Sequence, residues 1–308
     1  MAKTILSSDQ AHTLHHTLYA PKNNAKATLL IVHGMTEHSG RYEKFAQYLA
    51  DQDIAVLTYD QLGHGRSINN AEELGYFTKS YPVQTVLKDA VIMADQLKSH
   101  YPDVPHFIMG HSMGSFVVRN VLQVHSSEFA GAIIMGSSDY NPLIKVALPI
   151  AKVLNQLQPK RPNPVLATAM IKLFNAQLKD KSSSSPFAWL ARNPEGVAEY
   201  ENDPLCGFYF TNNGFWTLFN LMDTGLDKNW AETIDHDFPM FFVSGENDPV
   251  GNMGKGIRKL TKRLKKQGFT KISRQIYPLM RHEPLHEADK QDVYAELARW
   301  LNTQISQS

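Results

Sequence analysis

The sequence predicts an α/β fold with a mostly parallel central sheet, flanking helices and an inserted helical cap. Short apolar runs bounded by Gly, Pro or Asp alternate with longer amphipathic segments, which is typical of buried parallel strands joined by helices. The alternation stops after residue 135 and resumes at 238, which indicates one sheet built from two stretches of chain. We therefore predict a first core half over residues 1–138, a cap over 139–222 and a second core half over 223–308.

Six brief apolar runs are the predicted strands, because turn-forming residues bound each of them. In chain order they cover residues 28–32, 54–58, 106–109, 130–135, 238–243 and 272–277. Residues 12–20 predict a further, antiparallel strand at the leading edge of the sheet. Since parallel neighbours need a crossover connection, helices are expected between the six runs.

Five amphipathic segments are the predicted helices. The clearest covers residues 83–99 and carries its apolar side chains on one helical face, at Val83, Val86, Leu87, Ala90, Val91, Ala94 and Leu97. The others cover residues 41–50, 115–124, 256–266 and 291–303. Residues 139–222 show only helix-like or irregular segments with frequent prolines, and this pattern predicts the cap.

Composition excludes several classes of protein. Of 308 residues, 43% are hydrophobic and 20% are charged, as in ordinary globular proteins. The formal net charge of +1 lacks the basic excess that nucleic-acid binding requires. Cys206 is the only cysteine, so neither an intrachain disulfide nor a Cys-rich zinc site is expected. With no secretory stretch at the N-terminus and no apolar run near the ~18 residues of a membrane span, we expect a soluble cytoplasmic protein; its oligomeric state is left open.

One motif indicates a nucleophile. The segment Gly110-His111-Ser112-Met113-Gly114 lies between a predicted strand and a predicted helix and has G-x-S-x-G spacing. That context is what a nucleophile elbow requires, a tight turn that raises a serine hydroxyl above the edge of a sheet. The helix N-terminus then faces developing negative charge. Ser112 is the predicted nucleophile, and an ordinary glycine-rich turn with an exposed serine is the alternative.

A serine nucleophile needs a base and an acid that orients the base, and after such an elbow they follow in the order Ser, acid, His. Asp248 lies in a loop after a predicted strand and is the predicted acid, with Glu246 as the alternative. His282 follows the next strand closely and is the predicted base, with His286 as the alternative. Histidines four apart also occur in zinc sites, but Pro284 disfavours a continuous helix and no third ligand is evident, so no metal is predicted.

The oxyanion that forms in acyl transfer needs fixed N–H donors. One is expected from Met113, the residue after the nucleophile, and the other from the loop after an earlier strand. That loop reads His33-Gly34-Met35-Thr36-Glu37-His38-Ser39-Gly40-Arg41-Tyr42. Met35 is therefore the second predicted donor, through its backbone N–H.

The stretch from His33 to Tyr42 resembles the HGxxEHSGRY motif of the monoacylglycerol lipase and lysophospholipase group of α/β hydrolases, which are of the serine aminopeptidase S33 type. Similar segments follow at residues 59–67, 110–115, 244–254 and 281–283. The resemblance runs from about residue 12 to about residue 300 and leaves the cap least constrained.

This resemblance implies the α/β-hydrolase fold, hydrolysis of carboxylic esters, no cofactor and a cap that shapes an acyl tunnel. It also favours His282, because the family's histidine stands in an equivalent Arg-His-Glu context. The chain departs from the family pattern at Pro284 and His286. That difference concerns the shape of the loop and the selection of the head group.

Candidate substrate contacts come from the same loop and from the cap. Glu37 and Arg41 could bind a polar head group such as glycerol; an internal ion pair is the alternative, because side chains four apart meet on a helix. Four aromatic side chains of the cap are expected to form an acyl-chain wall, with ordinary core packing as the alternative: Phe208, Phe210, Phe215 and Trp216. The apolar stretches 143–157 and 167–178 could touch lipid or micelle surfaces.

The predicted activity is hydrolysis of monoacylglycerol, lysophospholipid or similar acyl esters by a serine hydrolase that forms an acyl-enzyme. An aminopeptidase or an acyltransferase is the alternative, since both use the same three residues on another bond or acceptor. A non-catalytic binding protein on this scaffold is an alternative of another class, but a binder needs no Ser, Asp and His set.

Overall fold

The structure is a computed structural model that describes residues 2–180 and 183–307. Within them, eight strands form one sheet: β1 (Ala2–Leu6), β2 (Thr13–Tyr19), β3 (Ala27–Val32), β4 (Ile54–Tyr59), β5 (His106–His111), β6 (Gly131–Met135), β7 (Met240–Gly245) and β8 (Ile272–Tyr277). The strand order is β1-β2-β4-β3-β5-β6-β7-β8. The β1–β2 and β2–β4 pairs are antiparallel, and the other neighbours are parallel. The predicted α/β architecture is confirmed.

The helices of the described residues occur between and after these strands: α1 (Glu43–Ala50), α2 (Pro82–His100), α3 (Met113–His125), α4 (Leu143–Leu157), α5 (Pro164–Gln177), α6 (Pro194–Glu201), α7 (Asn212–Gly225), α8 (Lys255–Lys266) and α9 (Lys290–Ile305). Short 3-10 turns cover Ser39–Tyr42, Ala71–Glu73, Ser126–Glu128 and Pro284–His286. Among the described helices, none is long and apolar enough to cross a bilayer.

The central strands bury alternate side chains on opposite faces of the sheet. Leu30 and Val32 of β3 pack in one core with α2, α3 and α8, whereas Leu29 and Ile31 pack in a second core with α1 and α9. Burying one aliphatic side chain contributes about 1.5–3 kcal/mol relative to leaving it exposed. Because both faces are covered, every residue of β3 is buried and the strand reads as a continuous apolar run.

Two details of the sheet differ from the prediction. The segment 12–20 was expected at the leading edge, but β2 lies second in the sheet and β1 forms the edge, joined to β2 by a turn in which the Ser7 N–H donates to the His12 carbonyl (2.8 Å). The strand expected from residue 238 begins at Met240. Pro239 has no N–H to donate to the ladder, and its carbonyl accepts from Ala132.

Residues 139–222, called the inserted segment below, contain α4, α5, α6 and most of α7 and connect β6 to β7. Helix α7 ends at Gly225, three residues beyond the predicted boundary. Its last turns pack against α3, where Asn120 donates to the Leu221 carbonyl (2.9 Å). The division into core and cap stays a prediction.

Candidate active site

Ser112 stands at a strained strand-to-helix turn. Strand β5 ends at His111 and α3 begins at Met113, so Ser112 is the residue between them. Its φ of 52° and ψ of −120° lie in a region that costs a non-glycine residue about 1–3 kcal/mol. Its N–H donates to the Met135 carbonyl on the neighbouring strand (3.0 Å), which holds the turn against the sheet.

The glycines of the elbow are required by close backbone contacts. A Cβ on Gly114 would overlap the carbonyl oxygen of Val32, and one on Gly110 would overlap the carbonyl oxygen of Gly114. Gly34 approaches Ser112 itself, since a Cβ on Gly34 would lie 3.1 Å from the Cβ of Ser112. The loop after β3 therefore lies directly beside the serine.

Asp248 and His282 form a buried pair at the carboxyl end of β7 and β8. His282 Nδ1 lies 2.9 Å from Asp248 Oδ1, and the two side chains are 1% and 0% exposed. The Val250 N–H also donates to that carboxylate oxygen (2.9 Å). His282 Nε2 is buried and has no hydrogen-bond partner among the described residues, and it lines the same cavity as Ser112.

No hydrogen bond joins Ser112 Oγ to His282 in the described residues, as is common before substrate binds. The two alternative groups lie elsewhere. Glu246 is exposed and lies 3.6 Å from Arg258 in an ion pair. His286 belongs to the 3-10 turn Pro284–His286, and burial lowers its pKa to about 4. Neither lines the cavity.

The predicted oxyanion donors, Met35 and Met113, line the same cavity as Ser112. Within the described residues, neither the Met35 N–H nor the Met113 N–H donates a hydrogen bond. The adjacent Gly34 N–H is already satisfied, because it donates to Glu37 Oε1 (2.5 Å). In the described part of the chain, the backbone amides of Met35 and Met113 are therefore free to donate to an oxygen of a ligand.

The cavity has a volume of about 180 Å³ and a mostly apolar wall. The inserted segment supplies that wall through Ile144, Met170, Leu173, Phe174, Trp189, Leu190, Leu218, Phe219 and Met222. A larger depression of about 750 Å³ lies beyond the Asp248 loop, between side chains such as Lys179, Arg192 and Lys255. It contains neither Ser112 nor His282, whereas both of these predicted residues line the smaller cavity.

The four aromatic side chains predicted as substrate contacts do not line this cavity: Phe208, Phe210, Phe215 and Trp216. Phe210 and Phe215 are fully buried and pack edge to face against each other, and Phe210 also contacts Phe77 and His64. Core packing, the alternative, accounts for Phe210 and Phe215, and Phe208 packs against the same core. Phe219 does line the cavity, together with Leu218 and Met222 on the same side of α7. Helical spacing could have identified these three.

Glu37 and Arg41 form the internal ion pair that was the alternative to head-group binding. The Arg41 guanidinium donates to Glu37 Oε2 (2.8 Å) and to both oxygens of Glu283 (2.5 and 2.8 Å). Burial alone would raise the pKa of Glu283, but Arg41 holds it below its ordinary value. Glu37 also accepts from the Tyr42 hydroxyl (2.8 Å) and lines the cavity, whereas Arg41 does not.

Five polar residues that line the cavity were not predicted as site residues: Thr36, His111, Asn141, Tyr200 and Glu283. His111 and Tyr200 line the cavity, His111 as the variable residue of the elbow and Tyr200 from α6. The Tyr200 hydroxyl donates to the Thr36 carbonyl (2.9 Å), which joins the inserted segment to the loop after β3. The elbow motif leaves its second position undefined, so no signal in the sequence assigned His111 a role.

One set of three side chains in the described residues offers clustered metal-ligand atoms. His38, Asp203 and Cys206 bring these atoms within 4.8 Å of one another. The cluster lies outside the cavity, and His38 Nε2 is already 2.8 Å from Asp203 Oδ2. Burial raises the pKa of the Cys206 thiol, so the sulfur is protonated at neutral pH.

The chain is similar in sequence to several lipases. Monoglyceride lipase of Homo sapiens is 30% identical over 286 residues, which cover 92% of this chain and 85% of that protein. Monoacylglycerol lipase of Mycolicibacterium smegmatis is 22% identical over 288 residues, covering 93% and 91%. Against the monoglyceride lipases of Mus musculus and Rattus norvegicus, the chain is 29% identical over 187 residues and spans 54% of their length.

Solved structures share the fold. A thermostable carboxyl esterase from Bacillus coagulans in complex with glycerol has a TM-score of 0.92 at 24% identity and covers 99% of this chain and 98% of its own. A monoglyceride lipase variant from Saccharomyces cerevisiae has a TM-score of 0.76 at 18% identity, covering 99% and 94%. The family model described as serine aminopeptidase, S33, matches residues 23–289. This chain therefore belongs to the serine aminopeptidase S33 family of α/β hydrolases.

Proposed function

We propose that this protein hydrolyses carboxylic acyl esters through an acyl-enzyme formed on Ser112. The observation that carries the proposal is the meeting of three features at one apolar cavity. They are a serine on a strained elbow, a histidine held by a buried carboxylate, and two backbone N–H groups that have no acceptor among residues 2–180 and 183–307. Together these features match the chemical requirements of acyl transfer.

In this mechanism His282 takes the proton of Ser112 as the hydroxyl attacks the ester carbonyl, and Asp248 orients and stabilises the imidazolium. The N–H groups of Met35 and Met113 stabilise the oxyanion, and loss of one such donor costs about 10²–10³ in kcat. His282 then protonates the leaving alcohol. Water, activated by the same histidine, attacks the acyl-enzyme and releases the acid.

Monoacylglycerols, lysophospholipids and similar acyl esters are the proposed substrates. The apolar wall from the inserted segment suits an acyl chain, since such a chain gains stability from apolar contact. Glu37, Tyr200 and Glu283 line the same cavity and are the proposed polar surroundings of a leaving alcohol. The relatives named monoglyceride lipase support this substrate class.

The inserted segment also presents an apolar stripe for transient contact with lipid or micelle surfaces. On α4 the stripe consists of Leu143, Val146, Ile150, Val153 and Leu157, each 52–74% exposed. Their spacing places them on one helical face. An exposed apolar surface of this kind marks an interaction site, and α4 also carries Ile144, which lines the cavity.

Sedimentation with phosphatidylcholine vesicles tests this contact. The double variant Val146→Asp/Ile150→Asp should lose vesicle binding and keep its turnover of a water-soluble ester. Val124→Asp is the matched control, because Val124 is 77% exposed on α3 and lies outside the stripe. Equal vesicle binding by the stripe variant and the control would reject the assignment of this surface.

The activity itself is tested with p-nitrophenyl esters of increasing acyl length, a monoacylglycerol and an amino-acid arylamide. We expect ester and monoacylglycerol turnover that Ser112→Ala abolishes and that Ser99→Ala, at an exposed serine, retains. A fluorophosphonate should label the wild type and the Ser99 variant only. Arylamide turnover without ester turnover would indicate the aminopeptidase, and absence of a Ser112 adduct would indicate a non-catalytic binding protein.

A further inference from the structure

The histidine before the nucleophile lies between the two loops of the proposed site. His111 is 4% exposed, and its Nδ1 lies 3.3 Å from Glu37 Oε1 on the loop after β3. Its Nε2 lies 3.1 Å from the backbone carbonyl oxygen of His282. The two imidazole rings are adjacent, with centroids 4.9 Å apart.

The partners of His111 determine its protonation state. A carboxylate oxygen and a peptide carbonyl oxygen only accept hydrogen bonds, so both ring nitrogens must carry hydrogen to satisfy both contacts. A neutral imidazole has a single N–H and would leave one buried acceptor facing a bare nitrogen. At that contact, 3.3 Å to Glu37 or 3.1 Å to the His282 carbonyl, two lone pairs would face each other. The geometry therefore favours the imidazolium form.

The charges around His111 agree with this form. Glu37 and Glu283 supply two negative charges to the buried cluster, and Arg41 supplies one positive charge. A protonated His111 makes the cluster neutral. Burial alone would lower the pKa of His111, but its hydrogen bond and charge interaction with Glu37 and the charge of Glu283 raise it.

The remaining titratable neighbours add no positive charge at neutral pH. Tyr42 donates to Glu37 and has its pKa raised by burial. His286 is neutral, since burial lowers its pKa to about 4. The His282 ring is the proposed base, which must be unprotonated to accept the proton of Ser112. Burial also lowers the pKa of His33, the other histidine whose charge would act on Glu37. Arg41 and His111 are therefore the groups that neutralise Glu37 and Glu283.

We infer that His111 is a protonated positioning residue that connects the oxyanion loop to the loop of the base. The connection runs from the Gly34 N–H through Glu37 to the His111 ring, and from there to the His282 carbonyl. This inference rests on the proposed function for its kinetic consequences. Loss of a proton from His111 removes its hydrogen bond either to Glu37 or to the His282 carbonyl. The rate of ester hydrolysis should therefore fall as pH rises through the pKa of His111.

Direct evidence comes from a ¹⁵N–¹H correlation spectrum of the histidine rings near neutral pH. We expect two protonated ring nitrogens at His111, assigned by their loss in His111→Gln. A single protonated nitrogen would overturn the inference. This measurement does not depend on turnover, so it separates a failure of this inference from a failure of the proposed ester hydrolysis.

The pH profile of kcat/KM for a p-nitrophenyl ester gives the kinetic test, because a merely structural role would not move a catalytic pKa. His111→Gln and His111→Phe should lower kcat about 10–100-fold, since small misplacements of reacting groups cost up to about 10². Both should also raise the pKa of the acid limb, because His282 loses a neighbouring positive charge. An unchanged acid limb in both variants would contradict a charged His111.

Two further variants complete the experiment. Glu37→Gln removes the negative partner, so the alkaline limb of the wild type should move to lower pH. His106→Gln is the matched control, because His106 lies on the same strand β5 and hydrogen-bonds Thr28 (2.7 Å) away from the cavity. It should leave the profile unchanged. The proposed connection through His111 would be refuted if the wild type showed no alkaline limb. It would also be refuted if Glu37→Gln left that limb unmoved.

Discussion

The buried guanidinium of Arg41 gives the sharpest test of the energetics of the site. Its partners Glu37 and Glu283 have side chains only 3% exposed, and Arg41 itself is 6% exposed. Arg41→Met keeps an apolar chain of similar length and leaves two carboxylates without their cation. Breaking a buried pair in this way costs about 3–5 kcal/mol, because an uncompensated charge stays in a poorly solvated place.

For a chain of 308 residues with an unfolding entropy of about 2.1 cal/mol/K per residue, this loss lowers Tm by about 5–8 °C. The loss should depend on pH. Arg41 holds the carboxyl pKa of Glu283 below its ordinary 4.5, so its stabilisation is complete above that value and disappears as pH falls through the folded-state pKa. The variant and the wild type should therefore differ most near pH 7 and converge in acid.

Denaturant unfolding at several pH values measures the difference. Lys44→Met is the matched control, because it removes an exposed pair with Glu199 and should change the unfolding free energy by less than about 1 kcal/mol. Adding Glu283→Gln to Arg41→Met should recover part of the loss. A loss below about 1 kcal/mol at pH 7, or one that does not vary with pH, would refute the reasoning.

Three other changes have defined outcomes. Ser112→Gly should abolish turnover. It should also raise the unfolding free energy by about 1 kcal/mol relative to Ser112→Ala, since glycine tolerates the positive φ at the elbow. Equal stability of the two variants in a denaturant titration would show that the turn is unstrained. Gly114→Ala should cost several kcal/mol or prevent folding, because its Cβ overlaps the Val32 carbonyl, and an unchanged Tm would be inconsistent with that packing. His286→Asn should leave kcat within about 3-fold of the wild type, whereas His282→Asn should lose at least about 10³-fold; the reverse order in ester assays would identify His286 as the base.

Local features of the site could be predicted because they depend on short stretches of chain. The G-x-S-x-G spacing between a strand and a helix describes one tight turn, and the structure has that turn at Ser112. The order Ser, acid, His was expected from the elbow motif, and parallel strands bring the three loops together because their carboxyl ends meet at one edge. The pairing of Asp248 with His282 was predicted on this basis, and the two side chains lie 2.9 Å apart.

The errors at the sheet margins have equally local causes. The strand β1 contains only five residues and depends on pairing with β2 rather than on a strong apolar pattern. Pro239 has no N–H to donate to a neighbouring strand, and β7 begins after it, at Met240. A prediction based on apolar residues alone did not include this restriction. Both cases show that strand limits follow from hydrogen bonding as well as from hydrophobicity.

Tertiary packing alone decided which apolar residues face the cavity. Phe210, Phe215 and Phe219 are equally apolar in the sequence, but only Phe219 points into the cavity, because the other two fill the core beside α2 and α3. The charge on His111 was likewise not predictable, since its partners Glu37 and His282 are 74 and 171 residues away in the chain. The sequence by itself determined the fold class, the elbow and the order of the reactive groups through local spacing. Tertiary structure decided the cavity wall and the protonation of buried groups, because those depend on which distant segments exclude water from one another.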